Sequence, residues 1–364
     1  MEINYRKELD KIPVYVPGKP IDDVKRELGL DYIVKLASNE NPFGCSPMVK
    51  AAVLNAFENV NLYPDGNATE LKKTIASKLG LTPDMVMPSC GSDEMVDLIA
   101  KTFINKGDEV LMADITFPRY FSTSQMMGAD IKIIPLKDLT YDIDAFTEMV
   151  SDKTKIVWLC NPNNPTGTSF SKTKLDAFLA KVPDTTLVIY DEAYNEFADD
   201  PEYPKNILET MKVHKNVLVM RTLSKAYGLA GIRLGFTLGD PEILNMINRV
   251  RNPFNTTLLS QYAAMAGLKD DEFVKKTVAN NKIGREYISS EFGKMGIKFA
   301  PTQANHIIFN AELDNKEVFD KLLRMGCIIR PIGGFDPNTW LRVSIGLPEE
   351  NEYFIKCLKK VLNK

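Results

Sequence analysis

Short apolar runs recur through the middle of the chain: Val110-Leu-Met, Ile156-Val-Trp-Leu-Cys160, Leu187-Val-Ile-Tyr190, Val217-Leu-Val-Met220 and Leu234-Gly-Phe-Thr-Leu238. Runs this short and this continuously apolar read as strands buried on both faces. Between the second and third, Leu175, Phe178, Leu179 and Val182 fall at i, i+3, i+4 and i+7, one face of a helix, as a crossover between parallel strands requires. Leu71, Ile75 and Leu79 form a second stripe, stopped by Gly80, whose missing Cβ suits a helix C-cap. Met95, Leu98, Ile99 and Phe103 form a third. Phe354, Cys357, Leu358 and Val361 place an amphipathic helix near the C-terminus, expected to cover a second, smaller sheet. Helix alternating with strand predicts an α/β fold with a mostly parallel sheet sandwiched by helices.

At 364 residues the chain is long for one core, which predicts two domains, and no repeat or Gly/Ser linker separates them. A net charge of -3 with interspersed Lys and Arg predicts no nucleic-acid or membrane-surface partner. The N-terminal stretch lacks an apolar signal core, and no apolar run approaches the ~18 residues a bilayer span needs. The five cysteines are scattered without a CxxC pair, so neither a disulfide framework nor a zinc site is expected, and a reducing cytoplasm fits. With only His214 and His306, chemistry is expected to rest on other residues.

Lys225 stands out, framed by Thr222 and Ser224 before it and by glycines and Arg233 after it. A free lysine titrates near pKa ~10.4, so one that attacks a carbonyl at neutral pH needs burial or neighbouring cations, and Arg233 is a candidate for that cation and for holding a phosphate. Asp191 ends an apolar strand, where open α/β sheets bind ligands. Facing a pyridine nitrogen, such a carboxylate would keep it protonated, with Tyr194 three residues on to hydrogen-bond a ring hydroxyl. Asn164 sits in the rigid turn Asn161-Pro-Asn-Asn-Pro-Thr-Gly167, again just past a strand, as a donor to the same oxygen. Ser92 and Asp93 open a helix, where backbone amides bind phosphate, although both also read as simple caps. Taken singly, each segment reads equally as a turn, a cap or a strand end. Together they supply an amine, a ring-nitrogen acid, ring-oxygen donors and a phosphate cradle.

At these residues the chain resembles the class I/II aminotransferases, fold-type I enzymes dependent on pyridoxal 5'-phosphate. The likeness runs through Tyr15-Val-Pro-Gly-Lys-Pro, Lys35-Leu-Ala-Ser-Asn-Glu-Asn41-Pro-Phe-Gly, Tyr63-Pro-Asp-Gly, Gly91-Ser-Asp-Glu, Thr116-Phe117-Pro-Arg-Tyr, Asn163-Asn-Pro-Thr-Gly, Asp191-Glu-Ala-Tyr and Thr222-Leu-Ser-Lys-Ala-Tyr-Gly-Leu-Ala-Gly-Ile-Arg. The resemblance implies a large cofactor domain (46–255) and a small domain with an N-terminal arm built from both chain ends (1–45 and 256–364). It also implies a homodimer with shared active sites. Lys225 would carry the cofactor aldehyde and later shuttle a proton. Phe117, where many relatives have tyrosine, would stack on the ring. Tyr63 would reach the neighbouring subunit's cofactor phosphate, which Ser92, Asp93, Thr222, Ser224 and Arg233 also hold.

On the substrate side the resemblance directs Tyr15, Asn41, Arg330 and Arg342 toward the substrate, with both arginines facing its anion and Arg330 and Tyr15 suited to a phosphate dianion. The reaction expected is reversible transamination between histidinol phosphate, a phosphorylated amino alcohol, and 2-oxoglutarate, giving imidazole-acetol phosphate and glutamate, a step of histidine synthesis. An aromatic amino-acid aminotransferase, or an enzyme serving both purposes, is the alternative. A dinucleotide-binding dehydrogenase would want GxGxxG after the first strand, and the chain has none.

Overall fold

All five apolar runs form strands in a computed structural model that describes residues 3–14 and 18–364. They belong to a seven-stranded sheet of β1 (Val86–Ser89), β2 (Glu109–Ala113), β3 (Asp130–Ile134), β4 (Thr154–Cys160), β5 (Leu187–Asp191), β6 (Val217–Thr222) and β7 (Gly235–Leu238), in the order β1-β7-β6-β5-β4-β2-β3. Strands β2 to β6 pair in parallel, while β7 runs antiparallel to both β6 and β1. Every residue of β5 is buried, which is the physical reason its sequence is apolar without alternation.

The two edge strands were hidden in the pattern for opposite reasons. β3 carries Asp130 and Lys132, and Ile133 is 44% exposed, as an edge that must not pair with another chain requires. β1 contains Pro88, which has no N–H to donate and is tolerated because β1 is an edge strand with β7 alone as its partner.

The helix predicted around Leu175 spans Lys172–Leu179, with Ser171 Oγ accepting from the Lys174 amide at 3.3 Å. It stops short of Val182, which packs into the core from the following turn, just before Pro183. Thr69–Leu79 buries Leu71 and Ile75 and ends at Gly80 with φ +65°. The helix Gly91–Phe103 follows β1 directly.

Val49 to Leu268, with Ala304, supply the main apolar cluster around this sheet. A second cluster gathers Val34 and Leu36 with residues from Ile288 to Leu358. There the helix Pro348–Leu362 buries Phe354, Cys357 and Leu358 against a four-stranded antiparallel sheet of Arg330–Pro331, Trp340–Ser344, His306–Asn310 and Lys298–Phe299. Phe309 and Phe354 meet across that contact with ring centroids 5.9 Å apart. The two sheets meet near the C-terminal ends of β4, β5 and β6.

Candidate active site

A cavity of about 240 Å³ opens beyond the C-terminal ends of the parallel strands. Ten of the residues singled out from sequence line it: Ser92, Asp93, Phe117, Asn164, Asp191, Tyr194, Thr222, Ser224, Lys225 and Arg233. They come from the C-terminal ends of β1, β2, β4, β5 and β6 and the residues that follow them, with Arg233 just before the antiparallel β7, so all collect at one end of the central sheet.

One end of the cavity is built to hold an anion. The helix Gly91–Phe103 starts there with Cys90 as its cap residue and no capping side chain, so Ser92 and Asp93 lie inside the first turn and are not caps. Arg233 approaches this turn so closely that a Cβ on Gly91 would fall 2.6 Å from its guanidinium, and its Nη2 lies 3.6 Å from Asp93 Oδ2. Thr222 and Ser224 are buried beside it, with the Ser224 amide donating to Thr222 Oγ1 at 3.1 Å. Backbone amides at a helix start, two hydroxyls and a guanidinium are donors that could together hold a phosphate.

Lys225 follows β6 on a loop pinned by Gly228. With φ +69°, a Cβ at Gly228 would lie 1.7 Å from the Gly44 carbonyl oxygen, so the loop packs backbone to backbone on 41–44. Lys225 Nζ donates to the Ser38 carbonyl at 3.3 Å. Burial, followed by the positive charge of Arg342, pulls its pKa down to about 8, with Arg233 adding to the effect and Glu40 opposing it.

Asp191 is buried at the end of β5. Its Oδ2 accepts from Tyr120 Oη at 2.6 Å and its Oδ1 from the Ala193 amide at 3.1 Å, both neutral donors. Burial pushes its pKa up to about 6, and the two hydrogen bonds hold it from rising further. Tyr120 itself stacks on Trp158 with centroids 4.8 Å apart and meets the Phe117 edge at 5.5 Å. Sequence reasoning assigned Tyr120 no role. Its signal lay in its place in the first turn of the helix Pro118–Met126, three residues after the cap residue Phe117.

Asn164 Oδ1 accepts from Arg342 Nη1 at 2.7 Å, which leaves the amide's donor end for a ligand, and Arg342 Nη2 donates to the Ala37 carbonyl at 2.8 Å. Arg330 sits on the neighbouring strand directly opposite Arg342 in register. Asn41 does not line the cavity. Its Nδ2 donates to the Ala226 carbonyl at 2.9 Å and to Thr277 Oγ1 at 3.1 Å, so it ties the lysine loop to the helix Asp271–Lys294. Tyr63 is 82% exposed and stacks on Phe254 at 4.6 Å, away from the cavity of its own chain. Tyr15 lies outside the described residues. Among the described residues no cluster of His, Cys, Asp and Glu could hold a metal ion.

A partly buried lysine and a buried carboxylate facing one cavity, beside a set of anion donors and at the carboxyl ends of a mostly parallel sheet, define a class of group-transfer enzyme. The family Aminotransferase class I and II matches residues 31–358, and the chain belongs to it. The chain is 44% identical to the histidinol-phosphate aminotransferase of Caldicellulosiruptor saccharolyticus over 358 residues, covering 98% of this chain and 100% of that one. It is 43% identical to the enzyme of the same name from Moorella thermoacetica, over 98% and 92% of the two chains. Among solved structures, histidinol-phosphate aminotransferase from Sinorhizobium meliloti in complex with pyridoxal-5'-phosphate superposes with a TM-score of 0.90 at 26% identity, covering 100% of this chain and 98% of that one.

Proposed function

We propose that the protein is a pyridoxal-phosphate-dependent transaminase that interconverts histidinol phosphate and 2-oxoglutarate with imidazole-acetol phosphate and glutamate, in the synthesis of histidine. The observation that carries this reading is the pairing of Lys225 and Asp191 across one cavity, both displaced from their ordinary titration ranges by burial, next to an anion cradle. The names of the relatives, matched over almost the whole chain, favour histidinol phosphate over an aromatic amino acid.

The donor set fits pyridoxal phosphate end to end. The 91–93 turn, Thr222, Ser224 and Arg233 would hold its phosphate; Phe117 would lie against its ring; Asn164 and Tyr194 would donate to its ring oxygen; and Asp191 would face its ring nitrogen. When bound, the cofactor supplies an electron sink that stabilises negative charge on the substrate carbon. The protein supplies the rest. Asp191, already held in place by Tyr120, keeps a proton at the ring nitrogen by opposing its charge. With a pKa near 8, Lys225 Nζ is partly a free amine at neutral pH and can accept a proton that an ammonium could not. Arg342 has its guanidinium fixed by Asn164 and Ala37, so it presents a planar cation at little entropic cost.

The same reading includes a homodimer. Leu54, Phe57, Leu62 and Tyr63 are all more than half exposed on one stretch of chain, an apolar surface that a second copy would cover and that would carry Tyr63 to the neighbouring site. It also includes two domains, supported by the two separate apolar clusters. The helix Leu258–Gly267, which that division gives to the small domain, packs on Pro47–Phe57, and its Ala263 and Ala264 belong to the first cluster. A cytoplasmic setting is supported by five free cysteines, and among the described residues no helix is long and apolar enough to cross a membrane.

The test is kcat/KM for histidinol phosphate and for phenylalanine, each with 2-oxoglutarate, on cofactor-loaded protein. A strong preference for histidinol phosphate is expected. Comparable values would replace the reading with an aromatic or dual-purpose aminotransferase.

A further inference from the structure

Next to Tyr194 lies a buried polar cluster that the reaction as described does not use. At its centre is Asn39, 1% exposed and with left-handed backbone at φ +55°. Ser344 holds it twice: Ser344 Oγ accepts from the Asn39 amide at 2.8 Å and donates to Asn39 Oδ1 at 2.9 Å. Asn305 Nδ2 donates to the Asn39 carbonyl at 3.1 Å. Asn39 Nδ2 then lies 3.0 Å from Tyr194 Oη and 3.0 Å from His306 Nδ1, one partner for each of its two hydrogens. His306 is 0% exposed and meets the Tyr194 ring edge-on at 5.0 Å.

The protonation of this cluster follows from its surroundings. Burial, Arg342 and Lys225 all hold the His306 pKa well below its ordinary value, so the imidazole is neutral and carries one proton. The nearby backbone of Pro165 and Asn163 acts on the ring in the opposite direction without completing a hydrogen bond to Nε2. Nε2 has no hydrogen-bond partner among the described residues, whereas Nδ1 faces Asn39. Ser344 Oγ donates to Asn39 Oδ1, which turns the Asn39 side-chain amino group toward Nδ1, so Nδ1 accepts and the ring proton belongs on Nε2. An accepting Nδ1 requires the amino end of the Asn39 amide, the orientation that Ser344 Oγ also supports. The same amino group then donates to Tyr194 Oη, whose own proton is left to point elsewhere, and Tyr194 lines the cavity.

We infer that Asn39 and His306 are positioning residues that fix the direction of the Tyr194 hydroxyl: His306, as the Nε2–H tautomer, locks the Asn39 amide, and the amide makes Tyr194 a donor into the cavity. The inference rests on the reading above for what Tyr194 donates to, the ring oxygen of the cofactor, but the proton arrangement belongs to the protein alone. It also joins the two sheets, since Tyr194 follows β5 while His306 and Ser344 lie on paired strands of the small sheet.

The experiment is ¹⁵N spectroscopy of the two histidines in cofactor-free protein, with the His306→Asn variant to assign them. Between about pH 5 and 8, His306 is expected to show one protonated and one bare nitrogen without titrating, the bare one being Nδ1. A protonated Nδ1, or a ring that titrates in this interval, overturns the inference. In cofactor-loaded protein, His306→Leu removes the acceptor and should shift the pH midpoint of the cofactor's visible absorbance by about 0.7 unit, the equivalent of one neutral hydrogen bond. His306→Asn, whose carbonyl oxygen replaces Nδ1, should restore the native midpoint. A native midpoint in His306→Leu counts against the proposal. Failure of the protein to bind pyridoxal phosphate would instead refute the functional reading, and the nitrogen assignments would still decide this one.

Discussion

Tyr120 donates its phenolic proton to Asp191 Oδ2 at 2.6 Å, and both residues are buried, so the carboxylate is oriented before any ligand arrives. Burial alone would neutralise Asp191, because a carboxylate stripped of water is stabilised only by what it bonds to. Tyr120 supplies that bond from a ring clamped between Trp158 and Phe117, and its own hydroxyl pKa is raised well above the ordinary value by burial, so it remains a donor throughout the working pH range. The hydrogen bond makes an otherwise costly charge tolerable without a permanent cation beside it.

Removing that hydroxyl tests the relationship. Tyr120→Phe should leave the stack on Trp158 intact but leave Asp191 short of a donor, weakening pyridoxal phosphate binding by roughly tenfold and lowering stability by about 1–2 kcal/mol. Cofactor titration by fluorescence and thermal melting would measure the two effects, and unchanged cofactor affinity would refute the role given to Tyr120.

Lys225 is expected to destabilise the cofactor-free protein. Its folded pKa of about 8 lies below the unfolded value of 10.5, so the charged form is penalised in the fold. The penalty is fully present below pH 8 and fades as pH rises from 8 toward 10.5, where the unfolded chain also loses its proton. Lys225→Met should therefore stabilise cofactor-free protein at pH 7 by up to about 3 kcal/mol, and the gain should shrink above pH 8. Urea unfolding at pH 7 and pH 10 would reveal the trend. A gain independent of pH would mean that packing, not charge, is responsible.

Gly228 pins the lysine loop to residues 41–44. Gly228→Ala would set a methyl group 1.7 Å from the Gly44 oxygen at a backbone conformation that L residues avoid. A loss of at least about 2 kcal/mol is expected, together with loss of cofactor binding, because the loop must lift away from 41–44. Near-native melting and cofactor content in this variant would show that the contact is softer than its geometry implies.

For the substrate anion, Arg330→Ala should reduce kcat/KM for histidinol phosphate far more than for phenylalanine, by roughly 100-fold if a charge-assisted pair of about 2–3 kcal/mol is lost. Equal losses on both substrates would mean that Arg330 does not read phosphate.

Local pattern carried the strands of the sheet interior, because burial on both faces forces an unbroken apolar run. It failed at β1 and β3, where an edge position admits proline and charge. The cavity-lining residues were legible for a related reason: Lys225, Asp191, Asn164 and Ser92 each end or follow a strand, so topology alone brings them to one end of the sheet. Asn41 shows the limit of that logic, since its side chain ties the lysine loop to a helix rather than lining the cavity.

What the sequence determined by itself was the α/β order, the strand ends and the set of side chains that collect beyond them. All of these depend on near neighbours and on periodicity. Only the tertiary structure decided the protonation of those side chains. Asp191 depends on Tyr120, Asn164 on Arg342, and Tyr194 on Asn39 and His306, partners 71 to 178 residues away along the chain from the groups they orient, with Asn39 and His306 themselves 267 apart. A titration range is set by how much water is excluded and by which donor lies within hydrogen-bonding reach, and neither is defined until distant segments have packed together.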